Sequence, residues 1–183
     1  MISLNTSLAH LKRGKPKGGK VMDKDSSCRF CRIYKNGKEA FFQNDYFFAI
    51  FDAFPVSPGH VEIIPIRHIE SLFDLSEEEW NILLLTIKDV IAVIEKFDLR
   101  EIYETLLNDS FSDKSREFCQ KILDHIGISK KPDGYNIGIN EGRAAGRTVD
   151  HLHIHIIPRF DGDVEDPVGG IRHIIPGMGN YRK

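Results

Sequence analysis

The chain has 183 residues, 41% of them apolar and 28% charged, with a formal net charge of −2. This is the length and mix of one globular domain that folds without disulfide staples. The near-neutral charge argues against a general nucleic-acid binder, and no 18-residue apolar run offers a membrane-spanning helix.

Three cysteines do not make a disulfide scaffold, and Met1 to Leu11 has no basic stretch ahead of an apolar one. A reducing cytoplasm is therefore the expected location. Charge is unevenly spread. Residues 1–26 carry six basic and two acidic side chains, against 19 and 25 in the remainder. With Gly14, Pro16, Gly18 and Gly19 and few large apolar groups, this segment reads as a flexible basic tail, suited to phosphate contacts or plain solvation.

Order is expected from about Cys28. Residues 40–51 read as a hairpin, aromatic-rich on both arms, with Asn44-Asp45 as a two-residue turn. Val61 to Ile66 is a second β-rich run, entered through Ser57-Pro58-Gly59. Ser76 with Glu79 forms a capping box, and the helix it opens is expected to reach about Phe97. Trp80, Leu83, Leu84, Ile87, Ile91 and Ile94 make one apolar face. Ile82, Leu85 and Val93 widen it, so burial on two sides is expected, by core or by a second subunit. Ser112 to Ile126 fits another helix, stopped at Gly127. Residues 130–134 form a turn, Tyr135 to Asn140 a short strand, and Thr148 to Ile157 a stronger strand stopped by Pro158. The mixture is α+β.

The informative segment is His151-Leu152-His153-Ile154-His155. On a strand the three rings share one face, about 7 Å apart, with Leu152 and Ile154 opposite. Burying three titratable rings together is costly unless each has a partner. Two chemistries suit the row, metal ligation and nucleophilic attack by one ring supported by the others. A second constellation is Cys28-x-x-Cys31, open to zinc, redox or coincidence. Cys119, on an apolar helix, reads as core.

His151-x-His153-x-His155 followed by two apolar residues resembles the signature of the histidine triad family. Asp52, Gly59-His60, Pro65, His68, Asn140-Glu141-Gly142 and Gly146-x-Thr148-Val149 occur at the family's spacings. The resemblance covers about residues 28–161. Residues 162–183 are more weakly similar to extensions of bacterial dinucleoside-polyphosphate hydrolase-like members. The division implied is tail 1–26, triad domain 27–161 and C-terminal extension 162–183. The implied fold is an antiparallel sheet of about five strands with a long central helix and a second helix.

The implied chemistry is cleavage at the α-phosphorus of a dinucleoside polyphosphate or nucleoside phosphoramidate. His153 would attack and form a nucleotidyl-histidine. His155 and Asn140 would contact phosphate oxygens, and Thr148 and amides of the Gly146 turn would hold the α-phosphate. His151 would orient its neighbour, Asp52 would bind the ribose hydroxyls, and His60 would support the triad or lie in a surface loop. The family often has Gln where Arg147 stands; Arg147 would meet a longer polyphosphate or face solvent. In zinc-containing branches a cysteine pair joins the histidines matching His68 and His151, so Cys28, Cys31, His68 and His151 would hold a structural zinc. The expected partners are a purine nucleoside phosphate substrate and a second copy of the chain, with neither membrane nor specific nucleic acid. A phosphorylase using inorganic phosphate, a nucleotide-binding regulatory module with little turnover, and an oxygenase-type metal site are the alternatives.

Overall fold

A computed structural model describes residues 27–109 and 112–182. The expected basic tail, residues 1–26, lies outside them. In chain order the described elements are α1 (Arg29–Asn36), β1 (Phe42–Gln43), β2 (Phe47–Phe51), β3 (Val61–Pro65), α2 (Glu77–Ile94), α3 (Leu99–Asn108), α4 (Asp113–Leu123), β4 (Gly134–Gly138) and β5 (Ile154–Arg159). The strands form one five-stranded sheet in the order β1-β2-β3-β5-β4. The expected α+β class and strand number hold; in place of the expected two helices, the described residues form four. The chain divides into two compact units, one of residues 27–52, 61–96 and 138–156, the other of residues 53–60, 97–137 and 157–182.

In the first unit β2 pairs antiparallel with β1 and β3, and β3 with β5, the last in the register Val61↔Ile156, Glu62↔His155 and Ile63↔Ile154. The hairpin turn sits one residue later than expected: the Asn44 amide donates to the Phe47 carbonyl at 2.9 Å, which leaves Asp45 and Tyr46 between them. Asn44 also holds the turn with its side chain, whose Oδ1 accepts from the amides of Tyr46 and Phe47, at 2.9 and 2.8 Å.

The helix α1 starts at Cys28 and stops at Gly37, whose φ of 63° is a left-handed cap that glycine adopts without penalty. It buries Phe30, Cys31 and Ile33 against Phe48, Ile50 and Ile64 of β2 and β3. The α2 capping box is present as read, Ser76 accepting from the Glu79 amide and Glu79 from that of Ser76. The helix ends at Ile94.

The buried stripe of α2 is Glu79, Leu83, Thr86, Val90 and Ile94, not the face drawn through Trp80 and Leu84. Two polar anchors select it. Thr86 Oγ1 accepts from Asn44 Nδ2 at 2.7 Å, and Arg67 donates twice to the Glu79 carboxylate, at 3.1 and 2.7 Å. Burial alone would raise the Glu79 pKa, but the bonds from Arg67 and Ser76 outweigh it and hold the pKa below its ordinary value. Trp80 and Leu84 are left 44% and 72% exposed.

In the second unit α3 and α4 pack together. Asp98 caps α3, accepting from the amides of Arg100 and Glu101, and Tyr103 is fully buried with its hydroxyl accepting from the Gly59 amide at 3.1 Å. Ser112 caps α4, which buries Cys119 and Ile122. It stops at Leu123, short of the expected Ile126, which is exposed. Pro158 does not stop β5, which runs on to Arg159, past the end of the ladder with β3 at Ile156. The Pro158 carbonyl accepts from Ser57 Oγ at 2.6 Å. No described helix is long and apolar enough to cross a membrane.

Candidate active site and metal centre

The histidine row straddles the start of β5. Only His155 lies in the strand, while His151 and His153 precede it. The rings still gather on one side, with Leu152, Ile154 and Ile156 buried on the other. The His153 and His155 rings are 5.1 Å apart at 79°. Phe30 of α1 packs on the rings of His151 and His153, at 5.8 and 5.3 Å.

Two main-chain carbonyls fix the tautomers. A carbonyl only accepts, so the ring nitrogen facing it must donate. His153 Nδ1 lies 2.8 Å from the His151 carbonyl, so Nδ1 carries the proton and Nε2 keeps its lone pair. Burial lowers the His153 pKa, and Arg147 lowers it further, against the opposing pull of the His151 carbonyl and Asp52. The ring is therefore neutral at physiological pH. His151 Nε2 lies 2.9 Å from the Pro65 carbonyl, so Nδ1 is the bare nitrogen. Burial holds the His151 pKa down to about 4.

That bare nitrogen faces the cysteines. His151 Nδ1 lies 3.4 Å from Cys28 Sγ and 3.7 Å from Cys31 Sγ, and His68 Nδ1 lies 3.3 Å from Cys31 Sγ. One donor atom from each of these four residues falls within 4.8 Å of the others. All three described cysteines are free thiols. The helix α1 supplies the thiols, the segment after β3 supplies His68, and the approach to β5 supplies His151.

Asp52, just after β2, has Oδ2 3.6 Å from His155 Nδ1. Asn140 lies beside the turn at Gly146, where an added Cβ would stand 3.9 Å from Asn140 Nδ2. Gly146 has φ 95° and caps a 3-10 turn, Arg143–Ala145. Its amide donates to the Arg143 carbonyl, while those of Ala145 and Arg147 donate to Gly142. These three amides are thus bonded inside the turn, and Thr148 is exposed. Glu141 anchors the loop by accepting from the Leu72 amide at 2.8 Å.

Arg147 does not face solvent freely. It is tucked in, donating to the Glu70 carbonyl at 2.9 Å and to the Glu70 carboxylate at 3.2 Å, with Asp150 at 3.3 Å. Nor is His60 a surface residue. It is buried, and its Nδ1 accepts from the Val56 amide at 3.4 Å, closing the turn ahead of β3. Sequence reasoning passed over Glu62. Its carboxyl lies with His153 and His155 in a group whose donor atoms are all within 4.8 Å. The available signal was a lone acid inside an apolar strand.

Residues 34–162 match the HIT domain family, well over half of the chain, and the chain belongs to the histidine triad family. A HIT-like protein of Methanocaldococcus jannaschii is 28% identical over 141 residues, covering 75% of this chain and 83% of that protein. The bis(5'-adenosyl)-triphosphatase of Dictyostelium discoideum is 31% identical over 128 residues, covering 70% and 64%. The AP-4-A phosphorylase of Mycobacterium tuberculosis is 27% identical over 134 residues, covering 72% and 52%. The chain thus spans about half to two thirds of the length of these two enzymes. Among solved structures, the histidine triad nucleotide-binding protein of Candida albicans aligns with a TM-score of 0.51 at 25% identity, covering 75% of this chain and 78% of that one.

Proposed function

We propose that the protein is a cytoplasmic nucleotide hydrolase or transferase that cleaves at the α-phosphorus of a dinucleoside polyphosphate or nucleoside phosphoramidate. The observation that carries the reading is the 2.8 Å contact between His153 Nδ1 and the His151 carbonyl. It leaves Nε2 unprotonated on a ring kept neutral by burial. Such a ring attacks an anionic phosphate without first losing a proton. The Nε2 lone pair forms the N–P bond as the bond from phosphorus to the leaving group breaks. The leaving group departs with that electron pair and takes up a proton. Water then attacks phosphorus, gives up a proton, and returns the electron pair to Nε2. Two relatives named for hydrolysis or phosphorolysis of dinucleoside polyphosphates support the substrate class.

In this reading His155 and Asn140 contact phosphate oxygens, the Thr148 hydroxyl binds the α-phosphate, and Asp52 receives the ribose hydroxyls. His60 holds the turn that leads into β3. Gly146 supplies the φ that lets the loop close beside Asn140.

Cys28, Cys31, His68 and His151 fit a structural zinc. Zn–S bonds of about 2.3 Å and Zn–N bonds of about 2.0–2.1 Å at tetrahedral angles put S and N about 3.6 Å apart. The three observed S···N separations run from 3.3 to 3.7 Å. The Pro65 carbonyl on His151 Nε2 is the outer partner that orients a metal-bound imidazole. The ion would tie α1 to the approach to β5 and take no part in bond breaking. The exposed Trp80 and Leu84 on α2 favour a homodimer paired through that face.

The test is a screen of nucleoside phosphoramidates and diadenosine polyphosphates, with and without inorganic phosphate, quenched at neutral pH and mapped by mass spectrometry. A nucleotidyl adduct on His153 is expected, resolved by water. Turnover that needs inorganic phosphate would make the protein a phosphorylase. Turnover without an adduct on His153 would overturn the mechanism.

A further inference from the structure

Glu62 is the single acid in the apolar strand β3, Val61–Pro65. Its Cα pairs with that of His155 across the β3–β5 ladder. Cross-strand partners project to the same face of a sheet, so the carboxyl stands on the face of the histidine row. Glu62 is 7% exposed. Its carboxyl oxygen and the ring nitrogens of His153 and His155 lie within 4.8 Å of one another, a gap that one bridging water or a small side-chain movement closes. The strand register, and not a flexible loop, sets this grouping.

The charged and titratable groups around Glu62 come from three elements. Asp52, beyond β2, is a like charge, Arg29 at the start of α1 is an opposing one, and His153 and His155 belong to the segment of β5. Burial and then the Asp52 carboxylate push the Glu62 pKa up to about 8, against the pull of Arg29. Two ionised carboxylates near one another, one of them dry, are unfavourable, and keeping a proton on the buried one avoids this.

We propose that Glu62 is a positioning residue of the triad: its carboxyl orients the His155 ring across the β3–β5 ladder, at a point where an ionised carboxylate would repel an anionic substrate. The role rests on the phosphate-ester reading given above. It places a titrating switch beside the nucleophile. Below pH 8 the site presents donors and a neutral acid to the phosphates. Above pH 8 the acid releases its proton to solvent, and a fixed negative charge faces the incoming anion.

Two measurements on the purified full-length protein test this. The first is the pH profile of kcat/KM between pH 6 and 9.5 for wild type, Glu62→Gln and Glu62→Leu. In wild type kcat/KM is expected to fall about tenfold per pH unit above pH 8, the slope of a single deprotonation, through KM more than kcat. Glu62→Gln is expected to lose a few-fold at pH 7, because an amide is an imperfect copy of the acid, and to lack the limb near pH 8. Glu62→Leu is expected to lose about tenfold at pH 7 and also to lack that limb. The second measurement, made without substrate, follows the His155 ring resonances by NMR. An inflection near pH 8 is expected in wild type and is expected to vanish in Glu62→Gln. A limb at pH 8 that persists in Glu62→Gln, or a His155 titration identical in the two proteins, overturns the proposal. If no dinucleoside polyphosphate or nucleoside phosphoramidate is turned over, the proposed function fails, and the NMR titration still decides whether Glu62 and His155 are coupled.

Discussion

The Glu62→Gln substitution should stabilise the protein, and the gain should grow with pH in a defined window. Glutamine copies the size of a protonated carboxyl, so at low pH the two folded states are nearly equivalent. Glu62 binds its proton until about pH 8 when folded, against an ordinary value of 4.5 for the unfolded chain. A group whose folded pKa is raised contributes stability that is present below 4.5 and is lost as pH climbs towards 8. The span measured is pH 5.5 to 8. Those 2.5 decades, at about 1.36 kcal/mol each, amount to about 3 kcal/mol. For a chain of this size that is a Tm difference of about 6–12 °C opening between the two proteins. Urea unfolding at half-unit pH steps, on both proteins as purified without chelator, measures it. A difference that stays constant from pH 5.5 to 8, or one that shrinks as pH rises, would refute the assignment of a buried, protonated carboxyl.

Cys28→Ser removes one of four metal donors. Where zinc binding is worth about 10 kcal/mol or more, its partial loss should lower Tm by at least about 10 °C. Elemental analysis should find close to one zinc per wild-type chain and less in the variant. Thr86→Val strands the Asn44 amide that donates to Thr86 at 2.7 Å and should cost about 1–3 kcal/mol in chemical denaturation; a cost near zero would mean that α2 docks by apolar contact alone. Leu84→Glu places a charge on the exposed apolar side of α2 and should turn a dimer into a monomer by light scattering, with little change in single-chain stability. His153→Ala should lower kcat at least about a hundredfold while nucleotide binding survives; comparable turnover would remove His153 from the chemistry.

What could be read from the sequence was local or periodic. The Ser76–Glu79 capping box needs only a three-residue spacing, and it formed as read. The histidine row announced itself by its period of two. What could not be read depended on partners far along the chain. The face that α2 buries was set by Asn44 reaching Thr86 and by Arg67 reaching Glu79, and neither is visible in the apolar pattern of the helix, which is nearly as rich on its exposed side. The helix α3 went unread because it buries few of its side chains, Leu99 and Tyr103, and is otherwise a polar stretch opened by Asp98. Glu62 was missed for the same reason as the α2 face. Alone in an apolar run it looks like an exception, and it gains meaning from a register that joins positions 62 and 155.

His151 faces two ways. Its ring points into the cysteine and histidine cluster, and its carbonyl receives the proton of His153. The two duties reside in different parts of the residue, and inheritance treats them differently. A substitution at position 151 exchanges the ring and leaves the carbonyl, so a descendant could lose the cysteine and histidine cluster while the His153 ring stayed aimed. The aim is written in the path of the chain, which no single codon change at 151 erases, and what would erase it is a displacement of that path. Lineages that drop the cysteine pair would then have to hold this stretch of backbone by other means, and the packing of Phe30 on the two rings is the part of the clamp already in place for that.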